Sequence, residues 1–319
     1  MLTWLKQQFP SAGLTAFITH PDCMLHNVGE GHPEAPERLV AIRDQLVASQ
    51  LYDELHEVEA PDVTPEQLER VHPPHYLAIL EASAPAAGTH RIDPDTAMMQ
   101  HTLRAARRAA GGAVKAVDMV CQRLAPNAFC SIRPPGHHAE SAASMGFCFY
   151  NNVAVAATHA LSEYGLERVA IIDFDVHHGN GTEEIFQNDP RVMMVSIFQH
   201  PFFPYCGDNP VGQNMHNVPM KAGSGSMAFR EAVEHIWLPN LEAFQPQMLF
   251  ISAGFDAHRE DEMGSMALTE SDYEWVTRQL MQFSFRFCEG RIVSVLEGGY
   301  DLSSLGRSVA AHIKVLSGG

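Results

Sequence analysis

The sequence predicts an α/β protein built on a parallel sheet that helices cover on both faces. Three observations predict it. From about residue 100 onward, runs of four to seven mostly apolar residues recur, too short for helices. Helix-like spacings separate them, and strands apolar at every position belong to sheets buried on both sides. Every cluster of unusual polar residues lies just beyond the end of one of these runs, where open α/β sheets bind their ligands. The 319 residues are enough for one large domain of this kind, and no repeat, low-complexity tract or charged linker divides 1–319. A single domain is expected.

Taken in order, the first hundred residues are the least regular. Residues 36–50 read as a helix opened by Pro and acidic residues, after a turn-rich loop at 29–38. A second loop, 90–96, leads into a helix from about 97 to 124. Residues 128–132 are a strand. Residues 151–164 make a helix between an Asn cap and Gly165. A strand at 169–172, a short helix at 182–187 and a strand at 192–198 follow. Residues 227–244 are helical, although Pro239 is expected to bend or break the run. The chain closes with a strand at 248–252, a helix at 270–288, a strand at 292–296 and a helix at 303–316.

Composition narrows the class. Hydrophobic residues at 45% and charged residues at 18% describe an ordinary globular protein, and no run approaches a membrane span. The segment Met1–Pro10 lacks the basic start and long apolar stretch of a secretory signal, so a cytoplasmic enzyme is expected. The six cysteines form no C-x-x-C pair, and Cys130 and Cys148 lie in apolar surroundings as reduced core residues. Lys and Arg total 21 against 38 for Asp and Glu, a net charge of −17. That argues against nucleic acid as a partner and suits cationic substrates such as lysine-rich segments or polyamines, as it also suits plain solubility.

Four segments carry chemistry. Val169-Ala-Ile-Ile runs into Asp173, Asp175 and His177, spaced two apart, so an extended chain presents them on one side. Met248-Leu-Phe-Ile-Ser252 runs into Asp256. A divalent ion such as zinc, held by Asp175, His177 and Asp256, would keep one position open, the mark of a catalytic site. Cys130-Ser-Ile-Arg-Pro-Pro-Gly ends in His137 and His138; adjacent histidines chelate one ion poorly but can share acid and base duty on a water. Arg291-Ile-Val-Ser-Val-Leu-Glu ends in Gly298-Gly299, a tight turn that presents Tyr300. Singly these read as a capping Asp, a satisfied loop histidine or a half-buried tyrosine. Their joint placement beyond apolar runs favours a site.

The motifs Gly31-His-Pro-Glu34 with Pro36-Glu-Arg-Leu39, Arg133-Pro-Pro-Gly-His-His138, Gly146-Phe-Cys-Phe149, Asp173 to Gly181, Ser252-Ala-Gly-Phe-Asp256 and Glu297-Gly-Gly-Tyr300 stand in a specific order. On them, the chain resembles the zinc-dependent histone deacetylase superfamily, nearest its class II-like bacterial amidohydrolases, over roughly residues 20–316. The resemblance implies the arginase–deacetylase fold, with about eight parallel strands flanked by helices. It implies zinc on Asp175, His177 and Asp256, and His138 as the principal base and acid. His137 would be its electrostatic partner, held by Asp173, and Tyr300 a donor to the substrate carbonyl. Phe147 and Phe203 match the aromatics flanking an acyl-lysine chain in a narrow tunnel, with Gly146 close by. A structural potassium ion is expected on Asp173, Ser196 and the carbonyls of Asp175, His177 and Ile197. A second such site is not expected, because Asn214 stands where relatives often carry an aromatic residue.

One departure concerns Asn180, where some members place Asp behind the second tandem histidine. A neutral amide stabilises an imidazolium less than a carboxylate does, so His138 is expected to be less basic. The implied reaction removes an acetyl or other short acyl group from a lysine side-chain amine of a protein or peptide. The nearest alternative is an acetylpolyamine amidohydrolase. Met263 matches a gatekeeper position where polyamine-selective relatives can place Glu, and its thioether favours an apolar stem. Glu262 beside it keeps the alternative open. A binuclear manganese ureohydrolase would need further carboxylates where Gly179 and Gly254 stand, with His258 the spare ligand type. A non-catalytic acyl-lysine reader would be expected to lack Tyr300 or a tandem histidine, and this chain has all three.

Overall fold

The computed structural model describes residues 15–319; the segment Met1–Pro10 lies outside them. In chain order the strands are β1 (Thr15–Thr19), β2 (Leu55–Glu59), β3 (Thr89–Arg91), β4 (Ala97–Met99), β5 (Asn127–Cys130), β6 (Val169–Asp173), β7 (Val192–Gln199), β8 (Met215–Met220), β9 (Leu249–Ala253) and β10 (Ile292–Leu296). Eight of them form one sheet in the order β2-β1-β5-β10-β9-β6-β7-β8, and every neighbouring pair is parallel. Every residue of β5, β6, β7, β9 and β10 is buried, as fully apolar strands in a two-sided sheet require. Helix Leu302–Leu316 packs against Glu37–Ala48 and Glu270–Phe287, and helix Thr102–Cys121 packs against Asn152–Glu163.

Local chemistry sets the helix starts. The Asn151 side chain accepts the Ala154 N–H, and the Asp301 side chain accepts the Ser304 N–H. Thr269 and Asp272 form a reciprocal capping box at the start of Glu270–Phe287. All six cysteines are free, and Cys130 and Cys148 are buried. Among the described residues no helix is long and apolar enough to cross a membrane.

Besides two short helices that went unread, Pro65–Glu69 and Pro74–Ser83, the structure corrects the element reading in three places. The helix expected from residue 97 begins at Thr102; Ala97–Met99 instead pairs antiparallel with Thr89–Arg91. The Asp93 carboxylate accepts the N–H groups of Asp95 and Thr96, closing a turn that reverses the chain. At Pro239 the helix neither stops nor leaves helical dihedrals. It passes from Ser226–Ala232 through a π-turn, Val233–Trp237, into Leu238–Phe244, where Pro239 occupies the first turn and its missing N–H is not needed. Finally, β1, β2 and β8 went unread. β2 carries His56, Glu57 and Glu59 and β8 carries Pro219, because both are sheet edges, where polar residues and proline are tolerated.

Candidate active site

Five neighbouring strands, β5, β10, β9, β6 and β7, deliver the site from their carboxyl ends. Register aligns them: Asp173 at the end of β6 stands opposite Ser196 of β7 and Ser252 of β9. Past those rungs Phe174, Val176 and Phe255 enter the hydrophobic core. Asp175, His177 and Asp256, which alternate with them, converge instead, with one ligand atom from each lying within 4.8 Å of the others.

All three converging residues are buried. Asp175 Oδ1 accepts the His177 N–H at 2.9 Å, and Oδ2 accepts the Gly298 N–H at 2.8 Å. Asp256 Oδ1 accepts the Val176 N–H at 2.8 Å, while its buried Oδ2 makes no well-aligned hydrogen bond and lies 3.2 Å from His177 Nδ1. Burial, reinforced by the neighbouring Asp175 carboxylate, pushes Asp256 up to about 7. A carboxylate oxygen so placed, beside a second carboxylate and an imidazole, is the donor set a divalent cation satisfies. Glycine backbone closes the cradle from behind: a Cβ on Gly254 would lie 2.0 Å from Asp175 Oδ2, and one on Gly298 2.0 Å from Asp256 Oδ2. The spare ligand type, His258, is engaged elsewhere, accepting the Glu260 N–H and lying 3.5 Å from Glu270.

The tandem histidines follow β5 and are held through Glu297, whose Oε2 accepts the N–H groups of Gly136 and His137. Their rings lie 4.1 Å apart, yet their partners differ. His137 Nδ1 is 3.0 Å from Asp173 Oδ2, and His138 Nδ1 is 2.8 Å from Asn180 Oδ1. Burial opposes charge on His137, but the Asp175 and Asp173 carboxylates outweigh it and raise the imidazole to about 10. Burial lowers His138 well below the usual range, and the neighbouring His137 and His177 add to the effect. Two adjacent imidazoles are thus driven to opposite protonation states.

A cavity of about 330 Å³ opens onto this centre. His138, His177 and Tyr300 line it together with Gly146, Phe147, Phe203 and Met263. Phe203 stands edge-on to His138 at 5.2 Å, and Phe147 edge-on to Tyr300 at 6.0 Å. Gly146, at φ +53°, comes so close that a Cβ there would lie 2.3 Å from the His138 ring. Burial keeps the Tyr300 phenol well above its usual range and therefore protonated. Asp173, Asn180, Ser196 and Ile197 are buried but lie outside the cavity lining. At Asn214, the side-chain amide nitrogen sits 2.6–3.1 Å from the carbonyl oxygens of Phe186, Asp189 and Val192.

Several residues around the site stood in the quoted motifs without a role, or went unread. Glu297 also accepts the Ser252 hydroxyl, so it ties β10, β9 and the histidine turn together. Its signal was the same as that of Asp173, an acid ending a fully apolar strand. Asp261 accepts the N–H groups of Tyr300 and Asp301 and so places the phenol, but nothing around it in the sequence marks it. Arg38, fully buried, donates to the carbonyls of Gly299 and Glu297 and lies 4.8 Å over the Tyr300 ring. Glu34 pairs with both Arg38 and Arg133, and although burial opposes its charge, Arg133 and Arg38 hold the carboxyl down at about 2. Asp95, Phe202 and Tyr205, all unread, complete the cavity lining together with Glu262, which the sequence had set beside Met263.

Comparison with known proteins agrees with this architecture. Residues 32–316 match the family described as the histone deacetylase domain. The chain is 35% identical to the type-2 histone deacetylase 2 of Dictyostelium discoideum, over 95% of this chain and 21% of that one. It is 38% identical to the histone deacetylase-like amidohydrolase of Pseudomonas aeruginosa, over 90% and 77% of the two chains. It is 37% identical to the polyamine deacetylase HDAC10 of Mus musculus, over 95% and 48%. The chain therefore spans about a fifth of the first relative's length and about half of the third's. Among solved structures, the HDA15 HD domain superposes with a TM-score of 0.89 at 34% identity, covering 96% of this chain and 89% of that one.

Proposed function

Because this chain belongs to the histone deacetylase family, we propose that it is a zinc-dependent amidohydrolase removing acetyl or other short acyl groups from lysine side-chain amines in proteins or peptides. One observation carries the reading: the Asp175, His177 and Asp256 side chains converge beside an aromatic-walled cavity that His138 and His177 both line. Asp175, His177 and Asp256 would hold the zinc, which when bound supplies Lewis acidity that polarises an acyl carbonyl and acidifies a water. A potassium ion beside Asp173, Ser196 and Ile197 would stiffen the end of β6.

The chain's own residues do the rest. Phe147 and Phe203 flank the apolar stem of the acylated side chain and exclude bulk water. His138, neutral and with Nδ1 engaged by Asn180, receives the water proton at Nε2. His137, held positive by Asp173 and Asp175, stabilises the negative charge that develops nearby. Tyr300, protonated and placed by Asp261 and Arg38, donates its hydroxyl to the acyl oxygen as that oxygen gains charge. His138 then passes its proton to the departing amine, leaving a carboxylate and a free amine.

An acetylpolyamine substrate is the second reading, and Glu262 favours it. This exposed carboxylate lines the same cavity as Met263. Rates on an acetyl-lysine peptide and on acetylputrescine and acetylspermidine, measured side by side, decide between the two. Faster turnover of the peptide is expected, and faster turnover of the polyamines would reverse the assignment. Chelation should abolish both activities and added zinc restore them; cleavage that survives metal removal would refute the hydrolytic mechanism.

A further inference from the structure

We infer that Glu140 is a positioning residue for His138, acting through the Asn180 amide to place the imidazole proton on Nδ1 and leave Nε2 free to accept one. The inference rests on His138 being the proton acceptor of the reaction proposed above. Asn180 lies between two groups with different demands. Its Oδ1 is 2.8 Å from His138 Nδ1, and its Nδ2 donates to Glu140 Oε1 at 3.0 Å. A carboxylate can only accept hydrogen bonds, so the amide nitrogen must face Glu140 and the amide oxygen must face the imidazole. Turning the amide over would set its oxygen against the Glu140 carboxylate. With an acceptor fixed at Nδ1, that ring atom carries the hydrogen, and a neutral imidazole has no second one.

The Glu140 backbone is itself held in place. Its N–H donates to the Ala143 carbonyl at 3.0 Å, and the next residue, Ser141, bonds through N–H and hydroxyl to both Glu184 oxygens. Glu184 lies on helix Asn180–Phe186, which Asn180 begins, so one short helix carries the amide and fastens the segment bearing its partner. The arrangement separates two properties that a direct carboxylate would combine. Glu140 sets the imidazole's orientation and tautomer, while the intervening amide keeps its negative charge out of contact with the ring.

Glu140→Gln tests this, because glutamine offers both a donor and an acceptor and no longer dictates the Asn180 orientation. In zinc-loaded protein labelled with ¹⁵N at histidine, wild-type His138 should show its proton on Nδ1, and the variant a mixture of tautomers. Turnover on an acyl-lysine substrate should fall on the order of tenfold, with KM little changed. Asn180→Asp alone brings two carboxylates together and should also be impaired. Adding Glu140→Gln to it restores a donor facing an acceptor, and should recover most of the lost turnover. Wild-type His138 protonated on Nε2 would overturn the inference. So would a Glu140→Gln variant with unchanged tautomer and turnover, or a folded double variant no better than either single one. Protein that cleaves no acyl amine, yet loses the Nδ1 signature in Glu140→Gln, would refute the proposed activity and uphold the positioning role.

Discussion

At the scale of single residues, the site works by giving like groups unlike surroundings. His137 and His138 are neighbours in sequence with rings 4.1 Å apart, but one meets carboxylates and the other an amide. Burial pushes both imidazoles towards neutrality; the Asp175 and Asp173 carboxylates overcome it at His137, whereas at His138 the neighbouring imidazoles add to it. Tyr300 shows the complementary case, a group kept in one state by burial and aimed by its neighbours. Tyr300→Phe should lower kcat by roughly 10²–10³ while the binding of an apolar stem persists, the loss typical of a removed oxyanion donor. Steady-state kinetics on one acyl-lysine peptide check this, and unaltered turnover would exclude Tyr300 from the chemistry. Asp175, His177, Asp256 and Tyr300 were legible in the sequence because each follows an apolar run. Asp261 and Glu140 were not, since their roles depend on hydrogen bonds to residues 39 and 40 positions away.

At the scale of elements, strand ends do the positioning. β6 and β9 are hydrogen-bonded neighbours in register, so the loops leaving them are adjacent before any metal is considered. Gly254, just after β9, and Gly298, just after β10, let the backbone close on the carboxylates, because any Cβ would collide with them. Gly298→Ala should therefore cost most of the bound zinc and of the activity while the protein remains folded. Metal content per chain and circular dichroism, measured on the same preparation, test it; full zinc occupancy in the variant would contradict the geometry. The central strands were legible because two-sided burial leaves an apolar run. Edge strands β2 and β8 lack that signature, and the hairpin of β3 and β4 depends on a turn closed by a single carboxylate, that of Asp93.

At the scale of the whole molecule, stability should carry a record of histidines buried without charge. Burial lowers His26 and His72 to about 4 and His312 to about 3. His312 is held by hydroxyls: Thr277, whose hydroxyl donates to the Tyr273 carbonyl, accepts from His312 Nδ1, and Ser294 pairs with Nε2. Below pH 6.5 the unfolded chain takes up a proton that folded His312 refuses, so stability falls with pH until the folded group titrates near 3. His312→Gln keeps a donor and an acceptor and removes the titration. Relative to wild type it should gain about 1.4 kcal/mol per pH unit as pH falls from about 6.5 towards 3, visible as a Tm difference that moves by a few degrees between pH 6.5 and 5. A Tm difference that stays constant over that range would show that His312 is not held neutral.

Local order in the chain was sufficient to determine the α/β class and the central strands, and it singled out the three side chains that converge and the tandem histidines beside them. Each of these follows from short-range patterning: apolar runs, side-chain alternation and rigid turns. The architecture is the arginase–deacetylase fold that those motifs implied. Tertiary structure alone decided how Glu297 holds the tandem histidines, how Asp261 and Arg38 hold Tyr300, and which edge strands complete the sheet. Those outcomes depend on burial and on partners distant in sequence, which exist only once the sheet has brought its strand ends together.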